Sequence, residues 1–163
     1  MSPGTGSIEC MFESLFGDVE DDALVGVIEQ LMRDEARVGA RRLAAIAELV
    51  VRSVEEDDER GWWAFDPWDN TAARVAAALG VGQRRASGQM RIAVALRDRL
   101  PRVAALFVAG VLSARLVSEI TWRTHLVNSD AVIALIDTAI AEVASGWGPL
   151  SEAQLVQAIN QDS

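Results

Sequence analysis

Four arginines on one predicted helix are the residues of this sequence whose type and spacing could bind a ligand. Arg84, Arg85, Arg91 and Arg99 share a sector of about 120° when the helix is drawn at about 100° per residue. Guanidinium groups pair well with phosphates, so this arginine sector predicts contacts with the backbone of double-stranded DNA. The alternative is an ordinary amphipathic helix whose arginines are solvated.

The opposite face of this helix is predicted to lie in the core. Its residues are Ala86, Met90, Ala93, Val94 and Leu96. Two residues depart from this pattern: Ile92 intrudes on the arginine sector, and Arg97 lies on the apolar side.

The arginine sector lies on the second helix of a predicted helix-turn-helix. Asp66 can cap a first helix that starts with a proline, and Gly80 suits the left-handed residue that ends this helix. After the Gly-Val-Gly turn, the second helix runs to about Arg99, since the residue before Pro101 avoids helical backbone. Two helices joined by a short turn that contains glycine are typical of DNA-binding proteins.

Charge is distributed unevenly along a chain of net charge −9, in which every basic residue is arginine. Residues 1–69 carry a net charge of −11, residues 70–124 carry +7, and residues 125–163 carry −5. A basic segment of an acidic chain can still act within a Debye length of about 8–10 Å. The alternative is internal neutralisation, in which the acidic first part packs against the basic middle and makes the arginines structural.

Few other residues could support catalysis. Cys10 is the single cysteine, so neither an intrachain disulfide nor a cysteine-based metal site can form. His125 is the single histidine and is expected at a helix end, and no nucleophile-elbow motif occurs. Gly80-x-Gly82 follows no strand and lacks a third glycine, which argues against a dinucleotide site. We therefore expect no enzyme activity, no cofactor, no metal and no small-molecule ligand.

Helical periodicity accounts for the rest of the chain. A first helix is predicted from about Asp22 to Glu55, before an acidic connection at residues 55–59. Further helices are predicted at residues 103–109, 113–126, 131–144 and 151–159. No segment alternates as a strand does, so the sequence predicts an all-α fold: a flexible tail at 1–17 and one helical domain at 18–163.

Aromatic residues cluster just before the helix-turn-helix. Trp62, Trp63, Phe65 and Trp68 could form a platform on which bases stack. Packing that seals the ends of helices is the commoner role of such a cluster.

Location and partners follow from the apolar segments. The longest apolar run, residues 103–112, is too short to span a bilayer, and no basic segment indicates a secretory signal. We therefore expect a cytoplasmic chain without a membrane partner. The long first helix could pack on two neighbours, or pair with its copy in a homodimer.

Several of these segments, taken in order, resemble the 13E12-repeat family, also described as domain of unknown function 222. The matching segments are RRLAAIAEL at 41–49, WW at 62–63, WD at 68–69, VAAALGVG at 75–82, RRAS at 84–87, the methionine at 90, VALRDRLP at 94–101, LSARLV at 112–117 and WGPLS at 147–151. Together they place residues 20–160 within the resemblance.

The resemblance implies a helical region that precedes an HNH endonuclease domain and is associated with DNA. An HNH site needs several histidines and an asparagine around a metal, whereas this chain has one histidine and one cysteine. The expectation is a non-catalytic helical module, either a truncated reading frame or an excised N-terminal part. The alternatives are a protein-protein interaction or homodimerisation module, and a remnant without independent activity.

Overall fold

The computed structural model describes residue 12, residues 14–60 and residues 66–147, with the side chains of 54–60 and 145–147 left undescribed. Within these ranges the chain forms six helices and no strand, which confirms the predicted all-α fold. The helices are α1 (Asp21–Arg60), α2 (Pro67–Leu79), α3 (Gln83–Asp98), α4 (Pro101–Ala109), α5 (Ala114–Thr124) and α6 (Asp130–Trp147). None of these helices combines the length and the apolar content needed to cross a membrane.

Helix α1 is longer than the sequence predicted. The acidic run at residues 55–59, predicted to be a connection, is helical, and α1 ends only at Arg60. The prediction was wrong because the run contains neither proline nor glycine, and its glutamates are good helix formers. Glycine at position 61 is the first residue that disfavours continuation.

Three predicted segments lie outside the described residues. They are most of the tail at 1–17, the aromatic residues at 62–65 and the helix at 151–159. The division of the chain at residue 17 and the last helix therefore stay predictions.

The chain divides into two compact units, Met1–Met32 and Arg33–Ser163. In the first unit, α1 exposes half or more of four large apolar side chains, those of Val25, Ile28, Leu31 and Met32. In the second unit, α1 buries a stripe at helical spacing, Leu43, Ile46 and Val50, which belongs to the core.

Helix α4 is the centre of the second unit. It contacts α3, α5 and α6, and its Val103 and Phe107 are almost completely buried. The largest side chains of the surrounding core are Met90, Leu100, Leu112, Ile120 and Ile140. An α4 of nine residues is too short to be stable alone, so this packing must hold it in place.

Side chains from other helices satisfy both ends of α4. The carboxylate of Asp137 on α6 accepts hydrogen bonds from the backbone N–H groups of Arg102 and Val103, each at 2.9 Å. The residue at the N-cap position of α4 supplies no capping side chain of its own. At the other end, Nε of Arg37 on α1 donates to the carbonyl oxygen of Ala109 at 3.3 Å.

Candidate nucleic-acid interface

Helices α2 and α3 form the predicted helix-turn-helix. Asp66 caps α2, and its Oδ1 accepts from the backbone N–H of Trp68 at 2.9 Å. Gly80 ends α2 in the left-handed region, with φ of 64°. The N–H of Val81 donates to the carbonyl of Ala76 at 3.1 Å, which completes the helix end. The capping residue and the turn glycine predicted from the sequence are therefore confirmed.

Side-chain hydrogen bonds fasten these helices to each other and to α1. Nε1 of Trp68 on α2 donates to Oγ of Ser87 on α3 at 2.8 Å. Oγ1 of Thr71, which is buried, donates to Oγ of Ser53 on α1 at 2.8 Å. Trp68 is half-buried in this arrangement, so it has the packing role that the sequence favoured for the aromatic cluster.

One face of α3 packs in the core, as predicted. The buried residues are Ala86, Met90, Ala93 and Leu96, while Val94, also predicted there, is half-buried. The opposite side of α3 is thereby left for contacts outside the fold.

The structure separates the four arginines of the predicted sector. Arg84, Arg85 and Arg91 are exposed. Arg99 lies beyond the last residue of α3 and is half-buried, and its guanidinium donates to the carbonyl oxygen of Val127. The sequence assigned Arg99 to the arginine sector only because of its angle around the predicted helix. In the structure, its hydrogen bond joins it instead to the segment that precedes α6.

What we call the open face of α3 consists of three residues spaced as i, i+4 and i+7: Arg84, Gly88 and Arg91. A Cβ added to Gly88 would meet no neighbouring atom within 4 Å, so another molecule can approach the backbone closely there. Arg85 lies to one side of this face and lines a cavity that also contains Arg42 of α1.

Arg97, which the helical pattern predicted on the apolar side of α3, forms an ion pair with Glu48 of α1. Its guanidinium contacts Oε2 of Glu48 at 3.0 Å, and Arg52 contacts the other carboxylate oxygen at 2.9 Å. Hydrogen bonds from Arg52 and then Arg97 hold the pKa of Glu48 below its usual 4.5. Arg97 therefore neutralises an acid of the first part of the chain.

The arginines of the predicted sector take no part in such neutralisation within the described residues. No ion pair between described residues includes Arg84, Arg85, Arg91 or Arg99.

The single histidine ends α5, as predicted. His125 is the C-cap residue of this helix, and its ring stacks on that of Trp122 with centroids 4.9 Å apart. Among the residues whose positions are given, no three histidine, cysteine, aspartate or glutamate side chains cluster where they could hold a metal ion.

Two residues outside the predicted sector line the cavity or support the fold around it. Arg42 lines the cavity beside Arg85, and its place on the predicted first helix gave no indication that it lies near α3. Asp137 supports α4, and its signal was an acid in the middle of an otherwise apolar helical stripe.

The chain is similar to proteins of Mycobacterium tuberculosis. It is 54% identical over 143 residues to an uncharacterized protein in the est 3′ region, and 54% identical over 143 residues to the uncharacterized protein Rv3776. These matches cover 88% of this chain, but 40% and 27% of the respective relatives. It is also 49% identical over 166 residues to the uncharacterized protein Rv2100, of which it covers 30%.

The chain thus spans well under half the length of these relatives. No solved structure matches it significantly. The family described as "Domain of unknown function (DUF222)" matches residues 30–162, which include α2, α3 and the rest of the second unit from α4 to α6. Since this match extends over most of the sequence, the chain belongs to the DUF222 family.

Proposed function

We propose that this chain is a cytoplasmic helical module that binds double-stranded DNA through α3 and has no catalytic activity of its own. The observation that carries the proposal is the open face of α3, which presents Arg84 and Arg91 on either side of Gly88. Arg85, exposed beside it, adds a third guanidinium. The placement of Arg99 against Val127 favours a role in the fold, so the proposal assigns the phosphate contacts to the other three.

The position of these arginines fits the way in which helix-turn-helix proteins dock. The second helix enters the major groove with its N-terminal residues first, while the first helix crosses the backbone. Arg84 and Arg85 lie in the first turn of α3, and Arg91 lies about two turns further along. Gly82 supplies no side-chain cap, so the N–H groups of that turn can add donors to a phosphate.

Salt should weaken DNA binding in proportion to the number of phosphate contacts. Three contacts predict a slope of log K against log salt of about −2.7, from about −0.9 per phosphate. Replacing Arg84, Arg85 and Arg91 together with glutamine should weaken binding at least about tenfold at low salt and bring the slope towards zero. Fluorescence anisotropy with a labelled duplex at several salt concentrations measures both quantities.

A second triple variant controls for the change in net charge. Arg41, Arg102 and Arg123 are exposed on α1, α4 and α5, and none of them belongs to α3. Their replacement with glutamine should leave the slope unchanged. Equal weakening by both triple variants, or no binding of duplex by the folded wild-type chain at about 50 mM salt, would contradict the proposal.

The absence of catalysis has its own test. Metal-assisted hydrolysis of DNA needs a fixed set of ligands around the ion, and the sequence offers a single histidine and a single cysteine. We expect the purified chain to leave supercoiled plasmid intact with magnesium, manganese or zinc. Nicking that depends on added metal, is abolished by EDTA and is missing from a mock preparation would refute this expectation.

A homodimer through α1 is the second function that a specific observation favours. The first part of α1 exposes four apolar residues that recur at helical spacing, as residues of a helix-helix interface do. They are Val25, Ile28, Leu31 and Met32. If they pair two copies, sedimentation should give twice the chain mass of 17.6 kDa. Ile28→Glu should then return the chain to a monomer.

Leu135→Glu is the matched control for this test, because Leu135 is an exposed leucine on α6. It should leave the sedimentation unchanged. A wild-type chain that sediments as a monomer at every concentration would exclude the homodimer.

A further inference from the structure

A cavity of about 250 Å³ lies between α1, α3 and α5 in the second unit. Its polar lining comes from three helices: Arg42 from α1, Arg85 and Gln89 from α3, and Ser118 from α5. All four side chains can donate hydrogen bonds. No acidic residue of the described part of the chain lines the cavity. The site therefore suits an anion.

The two arginines of the cavity have no ion-pair partner among the described residues. Both side chains are exposed, so solvent can reach them. Like charges that share a cavity repel each other, and an anion placed between them would relieve this repulsion. Guanidinium groups bind phosphates through paired hydrogen bonds, which makes phosphate a suitable head group.

The rest of the cavity is apolar. Leu79 and Val81 contribute from the end of α2 and the turn, and Ile92 and Phe107 from α3 and α4. Ile92 was the apolar residue that intruded on the predicted arginine sector, and the cavity gives it a place. Concave sites with an apolar lining and a few polar groups are typical of small-molecule binding.

We propose that this cavity binds a small organic phosphate, with the phosphate between Arg42 and Arg85 and an apolar body against Ile92 and Phe107. The proposal adds a ligand site to a chain whose sequence showed none, and it does not depend on DNA binding. A DNA backbone phosphate offers the same head group without the apolar body, and the experiment distinguishes these two sources.

Calorimetric titration with phenyl phosphate, inorganic phosphate and phenol tests the proposal. We expect saturable one-to-one binding of phenyl phosphate, and binding at least about tenfold weaker for the other two, since each lacks one half of the recognised chemistry. Arg42→Gln and Arg85→Gln should each weaken the binding of phenyl phosphate about tenfold, because each removes hydrogen bonds to a charged group.

Two further variants separate a specific site from general electrostatics. Arg41→Gln removes an exposed arginine of α1, next to Arg42 in the sequence, that does not line the cavity, and it should leave the binding of phenyl phosphate unchanged. Ala114→Leu retains both cavity arginines but adds volume at an exposed lining position of α5. It should abolish binding while the melting temperature stays near that of the wild type.

Three results would overturn the proposal. The first is no saturable binding of phenyl phosphate up to about 10 mM, beyond the weak millimolar range of specific affinities. The second is an equal loss of binding with Arg41→Gln and Arg42→Gln. The third is an Arg42→Gln variant that binds duplex DNA as weakly as Arg85→Gln does, while neither substitution changes the binding of phenyl phosphate, which would assign both arginines to DNA.

Discussion

Replacement of Asp137 with alanine is expected to lower the free energy of unfolding by about 3 kcal/mol. Asp137 is 2% exposed, and its carboxylate accepts the first free N–H groups of α4, from Arg102 and Val103. Alanine would leave the buried N–H group of Val103 and the partly buried N–H group of Arg102 without this partner. Typical domains have a total stability of about 5–15 kcal/mol, so this loss would be a large part of the total.

Urea unfolding followed by circular dichroism measures this change. Asp137→Asn should also destabilise the chain, because its amide can offer an oxygen to one N–H group but places its own NH₂ beside the other. Glu142→Ala is the matched control, an exposed acid on the same helix α6, and should change stability by less than about 0.5 kcal/mol.

A loss below about 1 kcal/mol for Asp137→Ala would contradict the explanation. It would show that water or a local shift satisfies the N–H groups of α4 once the carboxylate is gone. A change in the denaturant dependence itself, without a shift in midpoint, would mean that the variant alters the compactness of the denatured or native state, or that unfolding is no longer two-state.

The helices and their ends could be predicted wherever the determinants are local. Asp66 and Gly80 act on backbone groups within a few residues, so their types and positions were sufficient. The end of α1 was missed because the acidic run has no residue that stops a helix, and charge alone does not stop one. The predicted core face of α3 was largely correct, since burial there follows helical period.

The candidate site depends on long-range contacts, which the sequence does not display. Arg99 has the angle of the arginine sector, but the partner that fixes it, Val127, is 28 residues away. Arg42 and Arg85 meet at one cavity from helices whose packing no local pattern predicts. Asp137 did carry a signal: an acid within the apolar stripe of Ile133 and Ile140 must find donors when that stripe is buried.

Replacement of Gly110 with alanine is expected to lower the free energy of unfolding by about 3 kcal/mol. Gly110 ends α4 with φ of 81°, where a side chain costs roughly 1–2 kcal/mol. Its added Cβ would also lie 2.9 Å from the carbonyl oxygen of Arg33 and 3.1 Å from Nε of Arg37. A shift of α1 that relieves these contacts adds roughly 1–3 kcal/mol to the loss of stability.

The shift that relieves the contact should also disturb the C-terminal end of α4, because Nε of Arg37 is the group that donates to Ala109. Gly80→Ala separates the two contributions. Gly80 has φ of 64°, but a Cβ there meets no atom within 4 Å, so only the backbone cost of roughly 1–2 kcal/mol should appear. The urea midpoints of the two variants measure these losses, provided that the dependence of the unfolding free energy on urea is the same for both. Equal losses for Gly80→Ala and Gly110→Ala would show that α1 yields to the new methyl group without cost, and that the close approach of α1 to the end of α4 does not contribute to stability.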